Sequence, residues 1–314
     1  MNAVQAKVFK PSIYVLEGGN NKKPPVKNNN KTTRWIDPVR DLEDIQKIEN
    51  YLKGKINQSS GKTRERYARN LLLWVIGTRT GFRVSDLERF TWGLFFNDQG
   101  KMYFQTNPQM VIEQKTGKHR AVVCTEKMRD AITKYVELVD PDISLDEYMF
   151  RSRNSRFELY DVGIDRKVID DVTINLDTQE YEVYIKNGRK SQRRIVVVKH
   201  RGMTQQQLEK KCEELDRFHI SYKIRRFHIT EAGIDDIINE VVRENGIEGN
   251  YACRTLRKTY AYRMYCEAQN RGKNELEALS IVQAFLGHSN PNITKRYLGI
   301  KQQEDYDFMD GINW

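Results

Sequence analysis

Two neighbouring stretches in the first third of the chain carry apolar residues at helical intervals, and this spacing limits what the chain can fold into. From Asp41 onward the apolar side chains fall three and four residues apart, in the set Leu42, Ile45, Ile48, Tyr51 and Leu52. Residues 67–76 repeat the pattern more strongly, and Gly77 and Gly81 stand at the end of that stretch. An apolar stripe along each segment predicts two helices packed against a common core.

The later pattern predicts a mainly α-helical fold with a small antiparallel β-sheet, an α+β class. Short strands are expected at residues 102–104, 111–114 and 120–123, and the last two flank a lysine-rich turn. Helical spacing returns at 128–138, 256–266, 276–285 and around Tyr297. One more helix is expected to begin after Thr230, an N-cap residue type, and to end at Asn245-Gly246.

Residues 151–226 interrupt this helical pattern. Strand-like runs at 172–176, 181–185 and 194–198, with Asn187-Gly188 as a hairpin signal, are followed by a helix at about 204–218. They predict an inserted β-ribbon with a helix. Residues 186–201 contain seven basic side chains and no acid, so the ribbon is either a DNA-contacting surface or a solvated edge protected by charge. The side chains that would contact DNA are Arg189, Lys190, Arg193 and Arg194.

The charge balance favours a polyanionic partner. The 314 residues include 53 Lys and Arg against 43 Asp and Glu, a net charge of +10. Residues 1–35 are rich in Gly, Pro and Asn, and the first 40 residues hold eight basic and two acidic side chains. We interpret residues 1–35 as a flexible basic N-terminal arm that lies along a DNA backbone, with a solubilising tail as the alternative.

The sequence also predicts the cellular location of the protein and the absence of a disulfide framework, a metal and a cofactor. The first thirty residues lack the apolar segment of a signal peptide, and no apolar run approaches the roughly 18 residues of a spanning helix. We expect a soluble, cytoplasmic, nucleoid-associated protein. The four cysteines form no CxxC pair and the five histidines no HxxxH pair, so no disulfide framework, metal or cofactor is expected.

Four separated motifs hold side chains that suit chemistry on a phosphodiester. They are TGFRVSDL at 80–87, QKTGK at 114–118, RTLRKTY at 254–260 and LGHSNPNITKRY at 286–297. Together they supply several cations, an imidazole and a phenol. If folding brings these groups together around one anionic centre, they can attack a phosphodiester without a metal ion.

In this order, the four motifs resemble the catalytic domain of the tyrosine recombinase and phage integrase family, with matches over about 36–150 and 227–303. The resemblance implies a catalytic domain at 36–314, interrupted by the insertion at about 151–226. It also implies Tyr297 as the nucleophile that becomes joined to a DNA 3′ phosphate. Arg83 and Arg257 would hold the two nonbridging oxygens, and His288 would add a hydrogen bond.

Two lysines remain candidates for the general acid that protonates the departing 5′ oxygen. The resemblance implies Lys115, at the tip of the predicted hairpin, while Lys118 is the alternative acid and otherwise a DNA contact. A lysine in this role needs neighbouring cations that lower its pKa.

The sequence departs from the family pattern in two ways. Arg254 stands where the family usually has the histidine of its HxxR box, and Lys258, which we expect to contact DNA, stands where a second histidine is common. Arginine contacts phosphate but cannot accept the proton of Tyr297, which leaves water, His288 or the phosphate as the base. The family's N-terminal core-binding domain is also expected to be missing, its contacts replaced by the arm and ribbon or by an accessory DNA-binding protein.

These features predict a site-specific DNA recombinase or integrase of a mobile element such as a phage, working on double-stranded DNA as a dimer or tetramer. The tail at 299–314 either docks on a neighbouring protomer or folds back on its own core. The alternative is a DNA-binding transcriptional regulator, such as a phage or plasmid repressor, with a recombinase fold and little or no recombinase activity. A third possibility is a nicking and closing enzyme similar to type IB topoisomerases.

Overall fold

The computed structural model describes residues 35–103, 108–139, 144–152, 154, 156–163, 169–175, 180–187, 190–193, 202–217 and 221–300, with only the backbone between 161 and 193. The described residues fall into two compact units. One comprises residues 154–227, and the other comprises residues up to 153 together with those from 228 onward. The predicted arm and the tail after residue 300 lie outside the described residues, as do Arg189 and Arg194.

The larger unit is built around helices α1 (Leu42–Gln58) and α2 (Gly61–Thr80). Helix α1 buries Ile45, Ile48, Leu52 and Ile56, which are the positions that share one face at three- and four-residue spacing. Helix α2 is buried along most of its length from Tyr67, and it packs against α1, α4 (Glu126–Val139) and α7 (Arg254–Asn270). It is therefore the central helix of the unit. The two predicted helices of the opening stretch are confirmed.

After α2 the chain turns at Gly81 and forms the short helix α3 (Val84–Leu87) and a 3₁₀ turn at Trp92–Leu94. Strands β1 (Gln109–Ile112) and β2 (His119–Val122) then pair antiparallel, with Ile112 opposite His119. The lysine-rich turn closes this hairpin, as predicted. The strand expected at 102–104 is not formed in its described part, where Met102 makes a single isolated bridge to Phe96.

The C-terminal half of the larger unit is helical, with α6 (Glu231–Glu244), α7, α8 (Glu275–Leu286) and α9 (Pro291–Leu298). The Thr230 side chain accepts a hydrogen bond from the Gly233 amide, so the predicted cap of α6 is confirmed. A capping box of Asn274 and Glu277 begins α8. Helices α7 to α9 enclose a second apolar core, formed by Ala261, Tyr265, Ala268, Ala278, Leu279, Val282, Leu286 and Leu298.

The smaller unit contains β3 (Phe157–Gly163), β4 (Ile169–Asn175), β5 (Glu180–Asn187), β6 (Lys190–Arg193), α5 (Gln205–Arg217) and β7 (Ser221–Arg226). Strands β4, β5 and β6 form an antiparallel ribbon, and Asn187 at the end of β5 pairs with Lys190 at the start of β6. Strand β3 pairs with β7 across a long stretch of sequence, a pairing that local patterns did not predict. The run 194–198 lies outside the described residues.

The observed fold is mainly α-helical with small antiparallel sheets, as the sequence predicted. Within the part of the chain that the structure describes, none of the helices is both long and apolar enough to span a membrane.

Candidate active site

A cavity of about 490 Å³ in the larger unit is lined by residues from all four sequence motifs. The predicted catalytic side chains on its wall are Arg83, Lys115, Arg254, Arg257, His288 and Tyr297. They come from the N-cap of α3, the β1–β2 turn, α7, the α8–α9 connection and α9. Folding thus brings together six side chains that are up to about two hundred residues apart in the sequence.

Gly81 directs Arg83 into this cavity. The residue caps α2 with a φ of 58°, in the left-handed region that glycine enters without strain. A Cβ at this position would also collide with the ring of Tyr260. The sharp turn sends the next residues into α3, with Arg83 as its N-cap residue and partly exposed. A glycine is therefore required here on both conformational and steric grounds.

Arg257 is held by main-chain carbonyls. It lies in the first turn of α7, and its side chain is 10% exposed. Its Nη1 donates to the Gly81 oxygen at 2.9 Å and its Nη2 to the Leu286 oxygen at 3.2 Å. Burial lowers the pKa of Arg257, but a guanidinium starts so high that it keeps its charge at neutral pH. The guanidinium is thus fixed between the end of α2 and the end of α8.

A buried carboxylate, Glu113, lies among the arginines. Its Oε2 accepts from Arg83 Nη1 at 2.6 Å, and its Oε1 lies 3.5 Å from Arg120 Nη1 and 3.9 Å from Arg257 Nη1. Burial by itself would raise the pKa of Glu113, but hydrogen bonds from Thr116 and Arg83 and the nearby arginine charges outweigh it and hold the pKa below its usual value. Glu113 therefore stays ionised and balances part of the positive charge.

His288 and Tyr297 face one another at the other side of the cavity. Their ring centroids are 5.2 Å apart in an edge-to-face arrangement, and His288 Nδ1 lies 3.0 Å from Thr294 Oγ1. Burial, together with the charges of Arg257 and Arg83, lowers the pKa of His288. The imidazole is consequently neutral at physiological pH, and one of its nitrogens is able to accept a proton.

Burial raises the pKa of Tyr297, while Arg257, Arg254 and Arg83 act in the opposite direction. The hydroxyl therefore remains protonated at rest, in a field that favours its anion once a proton acceptor is available. Behind the ring, the Nζ of Lys258 lies 4.9 Å from the Tyr297 centroid and 3.3 Å from that of Trp35. Burial lowers the pKa of Lys258 to about 8.

Comparisons with known proteins give one curated relative and several solved structures at low identity. No family model matches the chain. Over 267 residues, 85% of this chain and 91% of the relative, the chain is 22% identical to the probable integrase/recombinase YoeC of Bacillus subtilis (strain 168). This alignment spans nearly the whole relative, and the four motifs within this chain meet at one cavity. The chain is therefore similar, at low sequence identity, to a probable integrase/recombinase.

Solved structures of other recombinases resemble the chain at low identity. Two complexes of the XerH site-specific recombinase with difH substrates, post-cleavage and pre-cleavage, match 90% and 85% of this chain at 14% and 16% identity, with TM-scores of 0.43 and 0.42. A structure of the XerA recombinase matches 89% of this chain and 67% of its own, at 13% identity and a TM-score of 0.44. The chain spans about half the length of the XerH chains, 55% and 52%.

The cavity distinguishes between the two candidate lysines. Lys115 lines it, whereas Lys118 lies beside the turn before His288, where a Cβ on Gly287 would come within 3.7 Å of its Nζ. Both side chains are exposed on the β1–β2 turn, and Arg254 is exposed at the start of α7. Their catalytic or binding roles stay predictions.

The side chains predicted to contact DNA differ in exposure and in how far the structure describes them. Lys258 is 5% exposed and packs on aromatic rings, so it lies beneath the site instead of on the surface where a phosphate contact was expected. Arg254 and Lys258 are four residues apart on α7, but Trp35 packs against Lys258 and leaves Arg254 exposed. Lys190 and Arg193 belong to β6, of which the structure describes the backbone, and Arg189 and Arg194 are outside the described residues.

Several residues of the site were missed by sequence reasoning. Asp86 is buried, and its Oδ1 accepts a hydrogen bond from the Gln114 amide at 2.9 Å, which ties α3 to the β1–β2 turn. Arg120 donates to the carbonyls of Thr80 and Gly81 and stacks on the Phe82 ring. Asp86 lies three residues after Arg83, on the same turn, so the sequence motif itself could have identified it as a residue of the site. Trp35 carried no signal, because it lies in the segment interpreted as an arm.

Within the residues described, no group of three or more His, Cys, Asp or Glu side chains is placed so as to hold a metal ion.

Proposed function

We propose that this chain is a site-specific DNA recombinase or integrase that cuts and rejoins DNA through a 3′-phosphotyrosine. The observation that carries the proposal is the convergence of Tyr297, His288 and two fixed arginines, Arg83 and Arg257, on one cavity. Guanidinium groups fixed by carbonyl and carboxylate partners suit the doubly negative phosphorane of phosphoryl transfer. An anionic, backbone-linked phosphate is the substrate group that fits this charge.

In the proposed reaction, the Tyr297 Oη attacks the scissile phosphorus while the bond between phosphorus and the 5′ oxygen breaks. A phosphotyrosine at the 3′ end forms, and the 5′ end leaves as a hydroxyl. The phosphodiester energy is conserved in the new ester, so a 5′ hydroxyl from another strand rejoins the DNA by the reverse step. Arg83 and Arg257 stabilise the charge that develops on the nonbridging oxygens between these two states.

Two proton transfers accompany this exchange. The phenolic proton goes to His288, directly or through water, and the lowered pKa of His288 supports this assignment because the imidazole starts neutral. The departing 5′ oxygen receives a proton from Lys115, whose side chain lines the cavity. Arg254, at the edge of the cavity, contributes a phosphate contact in place of the family's histidine.

The partner we propose is double-stranded DNA, bound by a homodimer or homotetramer, with the basic arm and ribbon supplying contacts outside the cavity, alone or with an accessory protein. Exchange between two sites requires at least two tyrosines on each pair of duplexes, which is why a multimer fits the chemistry. Integration or excision of a mobile element is the setting that matches such a reaction.

The test traps the covalent intermediate. The substrates are duplexes taken from the DNA that flanks the gene, each with a nick beside the candidate cleavage position. On cutting, a short fragment that carries the 5′ hydroxyl diffuses away, so the cut strand cannot be rejoined. Wild-type protein should form an adduct that survives SDS, and Tyr297→Phe should form none. Tyr51→Phe, which removes a hydroxyl from α1 outside the cavity, is the matched control and should behave as wild type.

A DNA-binding regulator with a recombinase fold is the second candidate, and Arg254 favours it because arginine cannot serve as the base that the family's histidine provides. The same experiment separates the two functions. Tight DNA binding by both wild type and Tyr297→Phe, with no adduct from either on any nicked duplex, would establish the regulator and refute the enzyme.

A further inference from the structure

Glu113 has no part in the proton and phosphate chemistry proposed above, yet it is buried against two arginines of the site, Arg83 and Arg257. The residue follows β1 directly and is 6% exposed. An ionised carboxylate that is removed from water must be compensated by charged or hydrogen-bonding partners, or it destabilises the fold. The partners of the Glu113 carboxylate therefore indicate which parts of the site it connects.

The side chain of Glu113 joins two parts of the active site. Its Oε2 accepts from Arg83 Nη1 at 2.6 Å and from Thr116 Oγ1 at 2.7 Å. Thr116 is the neighbour of Lys115 on the turn. A single carboxylate oxygen thus connects a phosphate-binding guanidinium to the turn that carries the proposed general acid.

The main chain of Glu113 closes the same turn. Its amide donates to the Lys118 oxygen at 2.9 Å, and its oxygen accepts from the Gly117 amide at 2.8 Å and from the Thr116 amide at 3.3 Å. Gly117 adopts a φ of 63°, which allows the tight return of the chain. The position of Lys115 therefore depends on Glu113 through both the side chain and the main chain.

We propose that Glu113 is a positioning residue for strand cleavage, which holds the Lys115 turn against Arg83. The proposal rests on the function proposed above. Without the carboxylate, the Arg83, Arg120 and Arg257 guanidinium groups lose their shared counter-charge, and the Lys115 turn loses its side-chain link to them. A displacement of about 1 Å in a proton donor is enough to slow a reaction on the order of 10²-fold.

Glu113→Gln keeps the shape and the acceptor oxygen but removes the charge. Under single-turnover conditions with saturating nicked DNA, it should form the adduct about 10²-fold more slowly than wild type, with DNA affinity nearly unchanged. Glu113→Asp should recover part of the rate. Glu49→Gln is the matched control, because it breaks another Glu–Arg pair of the same unit, with Arg79 at 2.9 Å, outside the cavity.

A second substrate tests whether Glu113 acts through Lys115. When sulfur replaces the bridging 5′ oxygen, the leaving thiolate needs no general acid. Most of the loss in Glu113→Gln should then disappear, as it should for Lys115→Ala. Thr116→Val, an exposed position where folding is not at risk, removes the link from the turn side and should show a smaller loss with the same rescue.

The outcomes separate this proposal from the proposed function. No adduct from wild type on either substrate would overturn the function itself. An active wild type combined with an equally active Glu113→Gln would overturn the positioning role, as would a loss that persists in full on the sulfur substrate. A melting temperature lower than that of Glu49→Gln, with Thr116→Val fully active, would assign Glu113 to stability alone.

Discussion

The two basic walls of the cavity are built in opposite ways. The arginine wall, Arg83 and Arg257, is held by main-chain carbonyls and Glu113 before any DNA is present. The exposed wall, Lys115 and Arg254, projects from a hairpin turn and from the first residue of a helix. Charge alone would not distinguish them, but burial and hydrogen bonding do.

Under the proposed function, this difference corresponds to two chemical tasks. Stabilising the developing charge on the nonbridging oxygens is most effective when the donors need no reorganisation during the reaction, and the arginine wall meets that condition. Delivering a proton requires a group that reaches the 5′ oxygen once DNA is bound. An exposed lysine gives up side-chain entropy of up to about 2 kcal/mol when it is fixed there. We therefore expect DNA to order the exposed wall and to leave the arginine wall as it is.

Among the tests of this comparison, the largest change in reaction rate is expected when Lys115 is replaced. Lys115→Ala should slow adduct formation by about 10²-fold to 10⁴-fold, the range for a lost general acid. The bridging-sulfur substrate should restore most of the rate, and gel retardation should show almost unchanged affinity. Lys118→Ala is the matched control on the same turn, and it should weaken binding without needing the sulfur rescue. The reverse pattern would make Lys118 the acid and contradict the assignment from the cavity.

Sequence patterns identified the parts of the fold and site that are encoded locally. The αL turn at Gly81 and the cap at Thr230 follow from residue types over a few positions, and His288 and Tyr297 lie in one short motif. Glu113 has no such signature, because its burial is created by arginines that are distant in the sequence. The same reason applies to the pairing of β3 with β7 and to Lys258, whose burial depends on Trp35.

Lys258 is a third kind of basic group, because it is buried against aromatic rings. A smaller effect, on stability instead of catalysis, is expected from it. Burial lowers its pKa from 10.5 to about 8. The folded protein therefore releases this proton at a lower pH than the unfolded chain, so stability should rise as pH increases from about 8 toward 10.5. The full shift corresponds to about 3 kcal/mol, an upper limit because a cation over the Trp35 ring offsets part of the cost of burial.

Urea unfolding of wild type and Lys258→Met between pH 7 and pH 10 measures this contribution. The variant should be more stable at pH 7, and the gap between the two curves should close as pH rises. Lys55→Met, which removes a lysine from above the Tyr51 ring on α1, is the control and should run parallel to wild type. A constant gap between wild type and Lys258→Met across the range would show that the lysine keeps its charge, as the arginine wall does.

The smallest effect is expected outside the cavity, where the basic ribbon is proposed to contact DNA without taking part in the chemistry. Each lost phosphate contact should reduce the slope of log affinity against log salt by about 0.9. Replacing Arg189, Lys190, Arg193 and Arg194 by serine should therefore flatten the slope while leaving the single-turnover cleavage rate at saturating DNA unchanged.

A control for this last prediction must lower the net charge of +10 without touching the ribbon. Lys53, Lys127 and Lys134 line a separate cavity of the larger unit and are exposed, so their triple replacement by serine serves that purpose. If both sets flatten the slope equally for each charge removed, the ribbon contributes only general charge and is a solvated edge. If only the ribbon set flattens it, residues 186–201 supply specific phosphate contacts, and the proposed binding and catalysis occupy separable surfaces of the protein.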